Sequence, residues 1–227
     1  MKKTVQKIPN KAKKVALAAE FSERLRSLYP DADCALKWHG EPWKLMILGR
    51  LSAQCTDARV NIVGEELFRK FPTAESIASA PIEELEEIIR PCGLYKVKSQ
   101  NVKDEMIMLT EDYGGVMPSD MDELLKFPGV GRKIANLLRG DIFSLPAVVA
   151  DTHCIRICGR FGMYAESVSD PNVCERVMTE LLPPEETSDF CHRIVLFGRE
   201  YCSARAPRCS ECPMADICPH KSKEKLK

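Results

Sequence analysis

Apolar residues recur along this chain at the three- and four-residue spacing of helix faces, not in the alternation of strands. Leu17, Phe21, Leu25 and Leu28 form one such stripe, and Pro30 stops it. Pro42 opens a second helix that carries Leu45, Leu48 and Leu51 toward Gln54. Thr56 is suited to cap a third, running to about Phe71. Pro81 fits the first turn of another, with Ile82, Leu85, Ile88 and Ile89 on one face and Gly93 as its stop. Ser119 with Asp122 resembles a capping box, an acid standing in for the usual Glu. Asp170–Pro171 starts a late helix, and Thr187 or Ser188 starts the last long one. No alternating run is long enough for a strand, and there is no internal repeat. The predicted fold class is all-α, with the short connections of packed helices.

Composition narrows the class. A length of 227 residues suits one large domain or two small ones. No apolar run reaches the roughly 20 residues of a membrane span, and no apolar segment follows the N-terminal charges as in a secretory signal. The expected setting is the cytoplasm, with no membrane partner. The 33 basic and 33 acidic residues cancel, which speaks weakly against a nucleic-acid partner, but the distribution of charge matters more than its sum. Lys2, Lys3, Lys7, Lys11, Lys13 and Lys14 form an end with no acid among the first fourteen residues, readable as a solvated tail or as a positive patch. Eleven cysteines, an odd number without a secretory signal, argue against a disulfide framework. Cys34, Cys55, Cys92, Cys154, Cys158, Cys174 and Cys191 are scattered, mostly among apolar neighbours, and read as small buried thiols.

Two helical stretches are joined by Phe127-Pro128-Gly129-Val130-Gly131-Arg132-Lys133. Pro128 ends the first helix, and Gly129 and Gly131 permit positive φ and close approach. The start of the next helix offers N–H groups and a positive dipole end to a phosphate, although a tight turn needs the same glycines. Lys133 stands in that first turn, where partial burial would activate its amine as a nucleophile. It also reads as a surface lysine or a phosphate contact. Eighteen residues on, Asp151 follows an apolar stretch and precedes the helical run Ile155, Cys158, Phe161. It reads as an N-cap, and a capping carboxylate aimed into a cleft can also stabilise positive charge.

Four thiols follow as Cys202, Cys209, Cys212 and Cys218, a C-x6-C-x2-C-x5-C pattern within seventeen residues. In a chain without a secretory signal this is a metal site. Zinc sites usually pair two C-x2-C knuckles, and only one is present.

The hairpin, with Val-Ala-Asp151-Thr-His at fixed distance, resembles the signature of the endonuclease III family of helix–hairpin–helix DNA glycosylases. Phe127, Ile134 and Ala150 are departures that carry no chemistry. Leu51-Ser-Ala-Gln-Cys-Thr-Asp57 and Gly93-Leu-Tyr-Lys96 resemble two further family segments, with Cys55 as a departure. The cysteine spacing matches that family's [4Fe–4S] clasp. The resemblance runs from about Leu17 to Cys218. It implies a six-helix domain over 35–145, and a discontinuous domain of 1–34 plus 146–227 holding the cluster loop 202–218, with DNA between them. It implies a bifunctional glycosylase and abasic-site lyase acting on oxidised pyrimidines such as thymine glycol, as a monomer on double-stranded DNA near the nucleoid. Lys133 would be the nucleophile and Asp151 its charged helper. Gly129, Val130, Gly131 and Arg132 would hold phosphate. Gln54 would fill the gap left by an extruded base and Leu94 would wedge into the opposite strand. Without the resemblance, Gln54 reads as a helix-terminal polar residue and Leu94 as core. Arg205 and Arg208, in the cluster loop, could reach phosphates, and Ala206 stands where relatives often have lysine. An adenine- or thymine-mismatch glycosylase is the alternative, although those branches usually lack the hairpin lysine. A non-catalytic DNA binder and a zinc-stabilised scaffold are the readings from other classes.

Overall fold

A computed structural model describes residues 8–220. The described residues are helical, without a strand, and no described helix is long and apolar enough to cross a membrane. Two compact units divide the chain, Cys34–Ser144 and the pair of segments Met1–Asp33 and Leu145–Lys227. Lys2, Lys3 and Lys7 of the basic N-terminal end lie outside the described residues.

The central unit is built from α2 (Pro42–Leu51), α3 (Asp57–Lys70), α4 (Ala74–Ala78), α5 (Ile82–Ile89), a 3-10 turn Arg90–Cys92, α6 (Tyr95–Glu111), α7 (Met121–Leu124) and α8 (Arg132–Phe143). Local chemistry sets most of its starts. Pro42 occupies the first turn of α2, where its missing N–H is harmless. Thr56 caps α3 through the Arg59 amide, and Thr73 and Ser76 cap α4 reciprocally. Two expectations shift by a residue. Asp120, not Ser119, caps α7, because its carboxylate reaches both the Asp122 and Glu123 amides at 2.9 and 3.2 Å. Pro81 is the cap of α5 and not within its first turn. The core packs Leu45, Leu48 and Leu51 of α2 with Val60, Leu67, Leu85, Ile89, Val102, Met106 and Leu138.

The second unit holds α1 (Lys11–Leu28), α9 (Thr152–Arg160), α10 (Pro171–Leu181) and α11 (Thr187–Glu200). Phe21 of α1 is its hub, stacked on Phe161 with centroids 3.9 Å apart and meeting Phe190 and Phe197 edge-on. Lys11 and Lys14 are part of α1, bonded to Glu180 and to the Met163 carbonyl, each at 2.9 Å. Of the scattered cysteines, Cys92, Cys154, Cys158, Cys174 and Cys191 are buried, and Cys34 and Cys55 are half-buried. Cys154 Sγ lies 3.6 Å from that of Cys174 and 4.0 Å from that of Cys158.

One core group titrates against the fold. Glu105 of α6 is fully buried and neither carboxyl oxygen has a hydrogen-bond partner. Burial pushes its pKa well above 4.5, with nearby Arg50 pulling the other way. A raised pKa of this kind leaves stability intact below the ordinary carboxylate range and erodes it as pH rises toward the folded value. Glu105→Gln removes the titration. Its melting temperature relative to the parent should therefore climb steadily from about pH 4.5 upward, and a constant offset across that range would contradict the assignment.

Candidate functional site

The turn between α7 and α8 is anchored from inside. Phe127 is buried and stacks on Tyr113, with centroids 5.1 Å apart. Val130 is buried too, and its N–H donates to the Phe127 carbonyl at 3.1 Å. The two glycines answer different needs. Gly129 has φ +79°, and a Cβ there would lie 2.7 Å from Arg50 Nε and 3.0 Å from Asn101 Cγ. Those two side chains are themselves joined, Arg50 Nε donating to Asn101 Oδ1 at 3.0 Å. Gly131 does not take the positive φ expected of it. It has φ −99° and ψ 178°, a conformation open to any residue, and an added Cβ would meet nothing within 4 Å. Nothing within 4 Å in the chain requires glycine at 131.

No side chain caps α8, and the N–H groups of a helix's first turn have no carbonyl one turn back. Lys133 is exposed in that turn, so the partial burial expected to activate its amine is absent from the free chain. Gln54 and Leu94 lie on two other turns of the same unit. Gln54 is exposed between α2 and α3 with φ +56°, and Leu94 caps α6 with φ +48° and is 61% exposed. Leu94 is therefore not core. Left-handed conformations at non-glycine residues cost roughly 1–2 kcal/mol each and persist where the surroundings enforce them.

In the other unit Asp151 caps α9, its Oδ1 accepting the Cys154 N–H at 2.7 Å. The cysteine loop follows α11, and α9 and α1 supply cations to it. Arg160 Nη1 donates to Cys202 Sγ at 3.2 Å and to the Ser203 carbonyl at 2.8 Å, while Nη2 reaches the Ala204 carbonyl at 3.0 Å. Arg156 Nη2 holds the Cys202 carbonyl at 2.9 Å. Arg24 of α1 clasps Asp216 through two bonds of 2.7 and 2.8 Å, and that pairing draws the Asp216 pKa down. The four thiols Cys202, Cys209, Cys212 and Cys218 are all half-exposed. Among the described residues, no three His, Cys, Asp or Glu side chains stand together as a single-ion site. The donor set suits a cluster, since four thiolates gather negative charge and Arg160 already donates to one of the sulfurs. Arg208 is engaged within the loop, donating through Nε and Nη2 to the Glu200 carbonyl, 2.8 Å for the first, and lying over the Tyr201 ring. Arg205 is exposed and takes no part in these contacts.

Residues 50–184 match the HhH-GPD superfamily of base excision DNA repair proteins, and residues 202–218 match the iron–sulfur binding domain of endonuclease III. Endonuclease III of Bacillus subtilis is 41% identical over 198 residues, covering 86% of this chain and 89% of the relative. The chain belongs to the endonuclease III family. A solved endonuclease III in a non-covalent complex with DNA superimposes with a TM-score of 0.87 at 38% identity, covering 94% of this chain and 99% of that one. A trapped covalent endonuclease III–DNA intermediate gives 0.86 at 38% identity over the same shares. The protein is thus a DNA glycosylase and abasic-site lyase of base excision repair, and its cysteine loop holds a [4Fe–4S] cluster. The match assigns the cluster, and Arg160 and the four thiols fit it.

Sequence reasoning overlooked the supporting residues. Arg50, Asn101, Arg156 and Arg160 carry no motif. Nothing in the sequence alone sets them apart from other polar helix residues. Arg160→Gln would remove the donor to Cys202 and two carbonyl contacts. The purified variant should lose its visible iron–sulfur absorption faster in air than the parent while its far-ultraviolet circular dichroism starts unchanged. Equal decay of the two proteins would mean that Arg160 serves the loop alone.

Proposed function

We propose that the protein removes oxidised pyrimidines such as thymine glycol from double-stranded DNA, with Lys133 as nucleophile and Asp151 as the carboxylate that supports it. The observation that carries this reading is the combination of an exposed lysine in the uncapped first turn of α8 with a glycine at 131 whose missing Cβ leaves open space. A phosphate can come against Gly131, Arg132 and the first-turn amides without meeting a side chain. The amide of Val130 is already used by Phe127, so Val130 contributes by anchoring the turn, and Gly129 by letting it close over Arg50 and Asn101. Arg205 is the phosphate contact of the cluster loop, while Arg208, tied to Glu200, shapes that loop.

The damaged nucleotide leaves the stack at a cost of a few kcal/mol, less where damage has already weakened stacking. Gln54 offers donors and acceptors to the orphaned base, and Leu94 replaces lost stacking with apolar contact. The Lys133 amine, once neutral, attacks C1′, and the base departs with the glycosidic electrons and takes up a proton. Asp151 stabilises the positive charge that develops on the sugar. The lysine nitrogen then expels O4′, which takes up a proton as the sugar ring opens to a Schiff base. This makes the C2′ proton acidic, and its loss expels the 3′ phosphate by β-elimination. A solved endonuclease III has been trapped as a covalent intermediate with DNA, which supports a covalent route. We further propose that the chain acts as a monomer in the cytoplasm, at the nucleoid, with Cys34–Ser144 as the unit that flips the base. The hairpin lysine weighs against the adenine-mismatch and thymine-mismatch alternatives.

Borohydride trapping tests the assignment. The parent protein should form a covalent adduct on a thymine glycol duplex and at an abasic site, but not on undamaged DNA. Lys133→Gln should abolish both adducts, and Asp151→Asn should slow base release on the order of 10²- to 10⁴-fold. Full trapping by Lys133→Gln would place the nucleophile elsewhere.

A further inference from the structure

Lys98 of α6 lies on the stripe continued by Val102, Met106 and Leu109, and it is wholly buried. Its Nζ donates to the carbonyls of Leu51 at 2.9 Å, Ala53 at 2.8 Å and Cys92 at 2.8 Å. These three bonds use every proton of the ammonium. Burial lowers the Lys98 pKa, opposed by the neighbouring Cys92 and Cys55 thiols. The Cys92 thiol is itself pushed up to about 12, chiefly by burial and then by Cys55 beside it, and so stays neutral. The ammonium's hydrogen bonds go to three carbonyl dipoles. A buried charge of this kind is seldom the most stabilising choice, since apolar residues of similar volume often do as well or better.

What singles out the three carbonyls is where they lie. Leu51 and Ala53 lead directly into Gln54, at φ +56°. Cys92 leads into Gly93 and Leu94, at φ +68° and +48°. The two strained turns come from separate stretches of the chain, and Lys98 ties both to α6. We propose that Lys98 is a positioning residue for base extrusion, holding the Gln54 and Leu94 turns in one fixed arrangement so that both side chains enter the duplex together. This rests on the reading of Gln54 and Leu94 as inserted residues. A tripod of three donors on one nitrogen suits carbonyls that converge from two loops, where the planar fork of arginine does not. Turns ordered in advance lose less freedom on insertion.

The test is single-turnover kinetics on a thymine glycol duplex and on a preformed abasic site, with four proteins: the parent, Lys98→Met, Gln54→Ala with Leu94→Ala, and the triple variant. Lys98→Met should slow base release roughly 10- to 100-fold, the scale of a misplaced group. It should slow abasic-site cleavage far less, because no base has to leave the stack. In the protein already lacking both inserted side chains, Lys98→Met should add no further loss. An equal loss on both substrates, or the full factor multiplied into the truncated background, would overturn the proposal and make Lys98 a stability residue. Unchanged base release in the Gln54→Ala, Leu94→Ala protein is a separate result. It would remove the insertion reading, and the proposal with it. Should Lys98→Met fail to fold, as read by its thermal melt, Lys98→Gln takes its place, keeping two donors for three carbonyls. Failure of both to fold would also overturn the proposal.

Discussion

A turn held in the left-handed region needs something to hold it, and that constraint organises the central unit. Gln54 and Leu94 both pay steric strain to project outward. The core beneath them supplies the restraint as hydrogen bonds, because packing alone does not fix a backbone carbonyl's direction. Lys98 supplies three such bonds at 2.8–2.9 Å from a site closed to water. In an interior of low effective dielectric, bonds from a charged donor are stronger than neutral ones and an unpaired carbonyl is expensive. The turns therefore have one well-determined arrangement in the free chain.

The α7–α8 hairpin follows the same logic with different means. Its inner side is closed by Phe127, Val130 and the Arg50–Asn101 pair, which leaves room for no side chain at 129. Its outer side is open at 131. The fold closes around position 129 and leaves open space at 131, and contacts within 4 Å separate the two. In the other unit the cysteine loop has little apolar core of its own beyond the buried Met214. It is held by cationic side chains from α9 and α1, Arg160 at the Cys202 sulfur, Arg156 at its carbonyl and Arg24 at Asp216. Such a loop relies on its cluster and its arginines together.

The parts of this account legible in the sequence are those where one residue type performs the physics locally. Proline at 42, threonine at 56 and aspartates at 151 and 170 mark helix starts because each meets a need of the first turn. The all-α class follows from periodicity, and the four cysteines declare themselves by spacing. Residues whose role depends on distant partners were not legible. Nothing in the sequence marks Lys98 and Glu105 as interior, yet both are buried. Arg208 reads as a candidate phosphate contact, and nothing local announces its bond to the Glu200 carbonyl. Gly131 reads like Gly129, and only φ and the space around each distinguish them.

The central claim is that this chain cuts DNA through an amine after releasing the base, and the cleaved ends report on that directly. Mass spectrometry of a thymine glycol duplex after one turnover should find free base and broken strand in equal amounts. The ends should be a 3′ unsaturated aldehyde and a 5′ phosphate, the products of β-elimination. Released base with the abasic sugar left intact, or 3′ hydroxyl ends from hydrolysis, would contradict the account.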